Sequence, residues 1–237
     1  MSAVKISFLH MLKFIRKDMM MLFAGISPFF IGAIIKFGIP FLEKILVDAT
    51  GLPHVLSPYY GLFDILFAAI TPAMFCFVTA MVMLEEHDDH IDKYLFVTGL
   101  GRSGYFVSRI LIPALAAFVI TLILLPVFCI SNLSAVEIIF LSSAGTLQGI
   151  IIALLVVSFS SNKLEGMALV KVSSLIMLGA AGPFFIPSPY KYFLFFIPSS
   201  WTGMVITEKN PVFMLPSILV SGLWIFILWK KLSIKIR

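Results

Sequence analysis

The sequence predicts an all-α integral membrane protein with six transmembrane helices, and three observations carry that reading. Of the 237 residues, 60% are apolar and only 12% are charged, whereas a soluble domain uses about 25% charged residues to cover its surface. The mean hydropathy is +1.08. Apolar runs of the roughly 20 residues that a helix needs to cross a bilayer core recur along the whole chain. In lipid such a run must satisfy its own backbone hydrogen bonds, which selects helix.

The elements follow in order. Residues 7–18 read as an amphipathic helix, with Phe8, Met11, Leu12 and Ile15 on one face and His10, Lys13 and Lys17 on the other. Lys13, Arg16 and Lys17 would hold this interfacial helix in the headgroup layer, as an anchor or as a seat for a partner. Spans are placed at 19–42, 62–84, 107–130, 136–159, 167–187 and 211–229. The first starts too late and runs too long for a cleaved signal peptide, so it is expected to be retained. Pro28, Pro72, Pro113 and Pro216 should kink or loosen their helices. Gly145, Gly149 and Ala153 recur every four residues, which suits close packing inside the chain or a seam between two copies. Between the last two spans, residues 188–206 hold an apolar run, Tyr192 to Ile197, too short to cross. The bracketing Pro187, Pro189 and Pro198, together with Trp201, make this an outer re-entrant or interfacial helix.

Orientation comes from the basic residues. With both termini cytoplasmic, the inner segments hold Lys5, Lys13, Arg16, Lys17, Lys93, Arg102, Arg109, Lys163, Lys171, Lys230, Lys231, Lys235 and Arg237. The outer segments hold Lys36, Lys44, Lys191 and Lys209, four of the 17. The inner excess predicts cytoplasmic termini. It also explains the net charge of +5 without nucleic acid as a partner.

Several chemistries are excluded by what the residues lack. No Gly-x-x-x-x-Gly-Lys-Ser/Thr loop exists to cradle ATP phosphates. Gly99-Leu-Gly101-Arg-Ser-Gly104 matches a dinucleotide fingerprint in letters only, because no acidic residue follows within the next twenty. Ser103 has no histidine on a neighbouring span to act as its base. Glu85-Glu86-His87-Asp88-Asp89-His90 reads as a solvated charged helix end rather than a metal site. Cys76 and Cys129 form no disulfide or zinc framework. Lys36, Asp64, Glu137 and Lys171 all sit near span ends, unlike the mid-bilayer ionisable groups of ion-coupled transporters. The span centres carry only weakly polar groups, of which Thr79, Gln148 and Ser173 mark a possible substrate path. Energy for any transport would then arrive from outside the chain.

The loop after the second span is the most informative stretch. An acidic turn at Glu85–Asp89 leads to an amphipathic segment with Ile91, Tyr94, Leu95 and Val97, then a break at Thr98–Gly104 before Tyr105. It has the form of a coupling helix presented to a soluble partner. Here the chain resembles the permease subunits of type-2 ABC exporters, the ABCG-like architecture. Glu85, Glu86, Asp88, Leu95, Val97-Thr98, Leu100, Arg102, Tyr105 and Arg109 fit the family's first cytoplasmic loop without a gap. His90 stands where Gly is usual, Gly99 where Pro is usual and Gly101 where Ser is usual. Ser161-Asn162-Lys163-Leu164-Glu165-Gly166 and Pro198-Ser199-Ser200-Trp201 resemble two further family stretches, so the resemblance covers the whole chain, 1–237, as a single transmembrane permease domain.

The resemblance implies a transport subunit with no catalytic residue, metal or cofactor of its own, ATP and magnesium being held by separate ABC ATPase subunits. Glu85, Glu86, Asp88, Asp92, Tyr94, Leu95, Thr98, Leu100, Arg102 and Tyr105 would form the ATPase-coupling surface. Within it, Glu86 and Asp92 would offer charges, and Tyr94, Leu95 and Leu100 an apolar anchor. Further partners would be a second permease copy or paralogue and membrane lipid, in a plasma membrane of bacterial type. A hydrophobic or amphipathic cargo (drug, lipid or peptide) suits the apolar span centres. The competing readings are a non-transport assembly or regulatory subunit, an ion-coupled transporter or channel, and a membrane enzyme.

Overall fold

The computed structural model describes residues 3–188 and 190–235. Ser2, Pro189 and Arg237 lie outside them. The described residues are helical throughout apart from short turns, and six helices are long and apolar enough to cross a membrane. In chain order the helices are α1 (Ala3–Ile15), the spans α2 (Met19–Thr50) and α3 (Ser57–Asp88), then α4 (Ile91–Val97) and the spans α5 (Gly101–Phe128), α6 (Ala135–Phe159) and α7 (Lys163–Phe185). A short α8 (Pro198–Glu208) precedes the last span, α9 (Pro211–Lys235). The side carrying α1, α4 and the end of α9 is here called the terminal face, and the opposite side the distal face.

Local chemistry sets the boundaries. Asp18 caps α2, accepting from the backbone amides of Met20 at 2.9 Å and Met21 at 3.2 Å. The span then runs to Thr50, past the expected end at residue 42, because Pro40 does not break it. A π turn at Ile34–Gly38 immediately precedes this proline, with the Ile39 amide reaching back to the Ile34 carbonyl. The same device recurs in α5, where a π turn at Val107–Leu111 precedes Pro113. A wider turn relieves the clash that a proline ring makes with the carbonyl four residues back. Gly51 ends α2 in the left-handed conformation, φ 70°. On the distal face, Glu43 accepts backbone amides of Val55 and Leu56, which holds the short connection to α3. Ser134 and Glu137 form a capping box at the start of α6.

Spans α3 and α6 are the centre of the subunit, and most of their residues are buried, whereas α2, α7 and α9 leave most of their apolar surface outside. Glycine makes this centre possible. A Cβ on Gly145 would lie 2.1 Å from the Ala68 carbonyl oxygen, and one on Gly149 would lie 3.0 Å from the Pro72 carbonyl oxygen. Pro72 has no N–H to offer Ala68, so that carbonyl lacks its normal helical donor and packs against Gly145 instead. The small-residue stripe of α6 is therefore a seam within the subunit.

The segment between α7 and α9 folds back on itself. A 3₁₀ turn at Tyr190–Leu194 leads in, and α8 leads out. Lys191 and Glu208 form an ion pair, so both ends of this hairpin lie at one level. At its tip, the Phe196 carbonyl accepts from the Trp224 indole at 3.0 Å and Ser199 donates to the Ile176 carbonyl at 2.5 Å. Trp224 lies ten residues into the α-helical part of α9, which starts at Met214. The tip therefore lies about 15 Å along α9 from Met214. The middle of α7 is a 3₁₀ stretch, Ser174–Ala181, that packs on α8, with Gly203 lying against the Ala180 carbonyl.

Candidate functional site

On the terminal face, polar and charged side chains form two clusters, one buried and one partly exposed. The first is built on Arg109, only 3% exposed. The π turn at Val107–Leu111 adds a residue to one turn of α5 and turns Ser108 and Arg109 inward. The Arg109 guanidinium forks onto Glu86 at the end of α3, with Nη2 2.5 Å from Oε1 and Nε 3.0 Å from Oε2. Tyr105 donates its hydroxyl to the same carboxylate at 2.9 Å. The remaining nitrogen, Nη1, donates to the backbone carbonyl and the hydroxyl of Ser7, both at 3.1 Å. Such a bidentate, charge-assisted pair is rigid as well as strong. It locks α1, α3 and α5 together at one point.

The second cluster is built on Lys163, the first residue of α7. Its ammonium donates to Glu85 at 2.5 Å and to Asp18 at 3.1 Å, and its backbone amide donates to Asp88 at 3.0 Å. Spans α2, α3 and α7 are thereby joined. Burial works to raise the Asp18 pKa, but the Lys163 hydrogen bond and the Met21 and Met20 amides outweigh it, leaving the carboxyl below its ordinary value. What this bond adds to stability is therefore complete above the ordinary carboxylate range and is lost as pH falls through the lowered pKa. Lys235 closes the set by donating to the Val157 and Ser160 carbonyls, tying the end of α9 to that of α6.

Between the clusters sits α4. Asp92, 5% exposed, accepts from His87 Nδ1 at 2.8 Å and so pulls the helix onto the end of α3. Leu95, Phe96 and Leu100 pack inward against the core. Ile91, Tyr94 and Val97 do not: they are 42%, 71% and 85% exposed, at three-residue spacing along one edge. They form an apolar edge on a braced helix outside the spans.

A protein-family model described as "Fluoroquinolones export permease protein Rv2686c-like" matches residues 11–232. The chain belongs to the Rv2686c-like family. Neither a curated protein nor a solved structure matches it. The match agrees with the resemblance to ABC-2 type exporter permeases, and the six apolar spans make the chain a multi-pass membrane permease.

The permease places its sequence-predicted residues unevenly. Glu85, Glu86, Asp88, Asp92 and Tyr105 are brought together, but not as free charges for a partner. Glu86 and Asp92 are spent on Arg109 and His87 inside the chain, and Tyr105 is 2% exposed. Leu95 and Leu100 also face inward, so of the expected apolar anchor only Tyr94 is presented. Thr98 caps the break, donating to the Leu95 carbonyl at 2.7 Å. Arg102 is exposed, over the Phe96 ring at 5.8 Å. Lys13, Arg16 and Lys17 lie exposed on and just after α1, as an interfacial helix requires, while Leu12 faces outward rather than joining Met11 on the buried stripe. Thr79, Gln148 and Ser173 are each less than 5% exposed inside this one subunit. Thr79 and Gln148 lie on the largely buried α3 and α6, and Ser173 on α7. Asp64 is fully buried near the distal face, where it accepts from the Ile130 and Ser131 amides and caps a turn. Among the described residues no cluster could hold a metal ion.

Sequence reasoning missed Asp18, Ser7 and the bridging role of Lys163. Asp18 carried a signal, an N-cap residue directly before an apolar run. Ser7 carried none. His90 explains one departure from the exporter pattern: it holds φ 59°, a backbone conformation that favours glycine. His90→Gly should therefore stabilise the permease by about 1 kcal/mol, read as a rise in the thermal unfolding midpoint in detergent.

Proposed function

We propose that this permease is the membrane half of an ATP-driven exporter and that a separate P-loop ATPase seats on the edge formed by Ile91, Tyr94 and Val97. That apolar edge is the observation that carries the reading. It belongs to no span, it is exposed among the described residues, and Asp92–His87 joins its helix to α3, which the two clusters tie to α1, α2, α5 and α7. A partner drives a conformational change only if it interacts differently with the two states. An ATPase pushing on α4 would act on α3 through Asp92–His87 and on α5 through Glu86–Arg109. The terminal face is then cytoplasmic, in keeping with its excess of lysine and arginine, and the membrane is a bacterial plasma membrane. A second copy or a paralogue completes the pathway, against the apolar surface that the peripheral spans leave uncovered. The family description supports a fluoroquinolone-like cargo, an amphipathic aromatic compound suited to weakly polar walls. Ion coupling finds no support, because Asp64 and Lys36, which donates to the Val127 carbonyl, are engaged in structural bonds at the distal ends.

Inverted membrane vesicles test this reading. ATP should drive fluoroquinolone uptake that a protonophore leaves intact, and Tyr94→Ala should reduce it. Truncating an anchor of this kind typically costs about 2 kcal/mol at an interface, so ATPase retention on the purified permease should fall by about tenfold or more. Uptake that follows the proton gradient instead of ATP would reject the proposal.

A further inference from the structure

A second surface feature opens beside α4, with Arg102, which lies over the Phe96 ring, at its mouth. A groove of about 580 Å³ runs along the outside of the subunit between α5, α6 and α9. Its mouth, at the terminal face, is formed by Arg102, Ser103 and Ser233, and its far end by Ile110, Ile150 and Ile225. The rest of its wall is apolar, and it is lined by no carboxylate. From Arg102 to Leu111 the helix rises about 14 Å, and from Ser233 back to Ile225 about 12 Å. That is the depth of one leaflet of a hydrocarbon core about 30 Å thick. The groove therefore begins at headgroup level and ends near mid-bilayer.

The polar groups are graded along the same axis. Arg102 is exposed at the mouth, and among the described residues no carboxylate pairs with it. One turn in from Ser233, Trp229 packs its ring against Phe106 at 4.8 Å and is 40% exposed. Its indole is the kind of amphipathic group that settles at ester level in a membrane. Cation, indole, then branched aliphatic wall is the order of phosphate, glycerol ester and acyl chain.

We propose that this groove holds an anionic phospholipid of the terminal-face leaflet, its phosphate on Arg102 and one acyl chain along Ile110, Ile150 and Ile225. Charge selects this occupant over a second copy of the chain. A copy in the same orientation brings Lys5, Lys13, Lys230 and Lys231 to the same face. Of the acids there, Asp18, Glu85, Glu86, Asp88, Asp92 and Glu165 are bonded within the chain, and among the described residues only Asp89, exposed just after α3, is not. Basic residues beside Arg102 repel a copy and attract an acidic headgroup.

The test is a titration of delipidated, detergent-purified permease with phosphatidylglycerol or phosphatidylcholine, read by native mass spectrometry. The wild type should take up one phosphatidylglycerol in preference to phosphatidylcholine. Arg102→Glu should weaken that binding by about tenfold or more, the scale of a lost charge-assisted contact, and Arg102→Lys should recover most of it. Leu111→Trp, which fills the groove, should block binding, whereas Leu115→Trp, one turn deeper on the exposed face of α5, should not. Arg102 is exposed, so its variants keep the fold and decide the matter even if Leu111→Trp does not express. Equal binding of the two lipids, undiminished binding by Arg102→Glu, or a cysteine at Leu111 that cross-links to a second copy would each overturn the proposal.

Discussion

Arg109→Met should destabilise the permease by about 3–5 kcal/mol, the cost of leaving a buried carboxylate without its partner. Glu86 is almost enclosed, at 12% side-chain exposure, and its oxygens point at the guanidinium and the Tyr105 hydroxyl. Removing the cation strands that charge and also frees the Ser7 carbonyl, so α1 should loosen from α5. Neutralising Glu86 at the same time reverses most of the loss. Glu86→Gln with Arg109→Met keeps an acceptor for Tyr105 and leaves no unpaired charge, and the two changes should be strongly non-additive because the groups touch. Thermal unfolding of the wild type, both single variants and the pair supplies the cycle. Additive single effects, or an Arg109→Met loss below about 0.5 kcal/mol, the range of ordinary surface substitutions, would remove this cluster from the account.

Gly145→Val should be as damaging. The first added carbon alone meets the Ala68 carbonyl oxygen at 2.1 Å, and backbone cannot move aside as a side chain can. Spans α3 and α6 must separate along their whole seam. Overpacking typically costs 1–3 kcal/mol, and a clash with backbone belongs at or above the top of that range, about 3 kcal/mol. Gly222→Val, in α9 with nothing within 4 Å of an added Cβ, is the matched control and should be neutral or slightly stabilising, because glycine is the poorer helix former. The measured quantity is the fraction of each variant that stays monodisperse after extraction and heating. If Gly145→Val survives like Gly222→Val, the seam between α3 and α6 is not where the structure puts it.

How much was legible in the sequence follows from the physics of each signal. The spans announce themselves, since apolar runs of membrane length have no other use. The end of α2 did not, because Pro40 reads as a stop unless the π turn before it is known. Arg109 read as an ordinary basic residue at a span end. Only the extra residue in the turn at Val107–Leu111 aims it inward, and no pattern in the letters marks that turn. The apolar positions of α4 were visible, but a helix of seven residues makes two turns and both its faces carry apolar side chains. Which face is buried depends on His87–Asp92, a contact formed only in the folded loop. Thr79 and Gln148 looked like a path because they are polar in apolar spans. A helix apolar all round gives no sign of which side is the interior, and most of α3 and α6 is buried.

The central claim is that the edge of α4 is where the driving ATPase sits, and a photo-crosslinking amino acid placed at Val97 tests it most directly. In membranes of the native cell, irradiation should join the permease to a polypeptide that carries a P-loop, and the same probe at Leu115, on the exposed face of span α5, should capture none. ATP should change the yield at Val97, since the two states of the pump must differ at this contact. A Val97 adduct without any P-loop polypeptide, or equal capture at Leu115, would contradict the account.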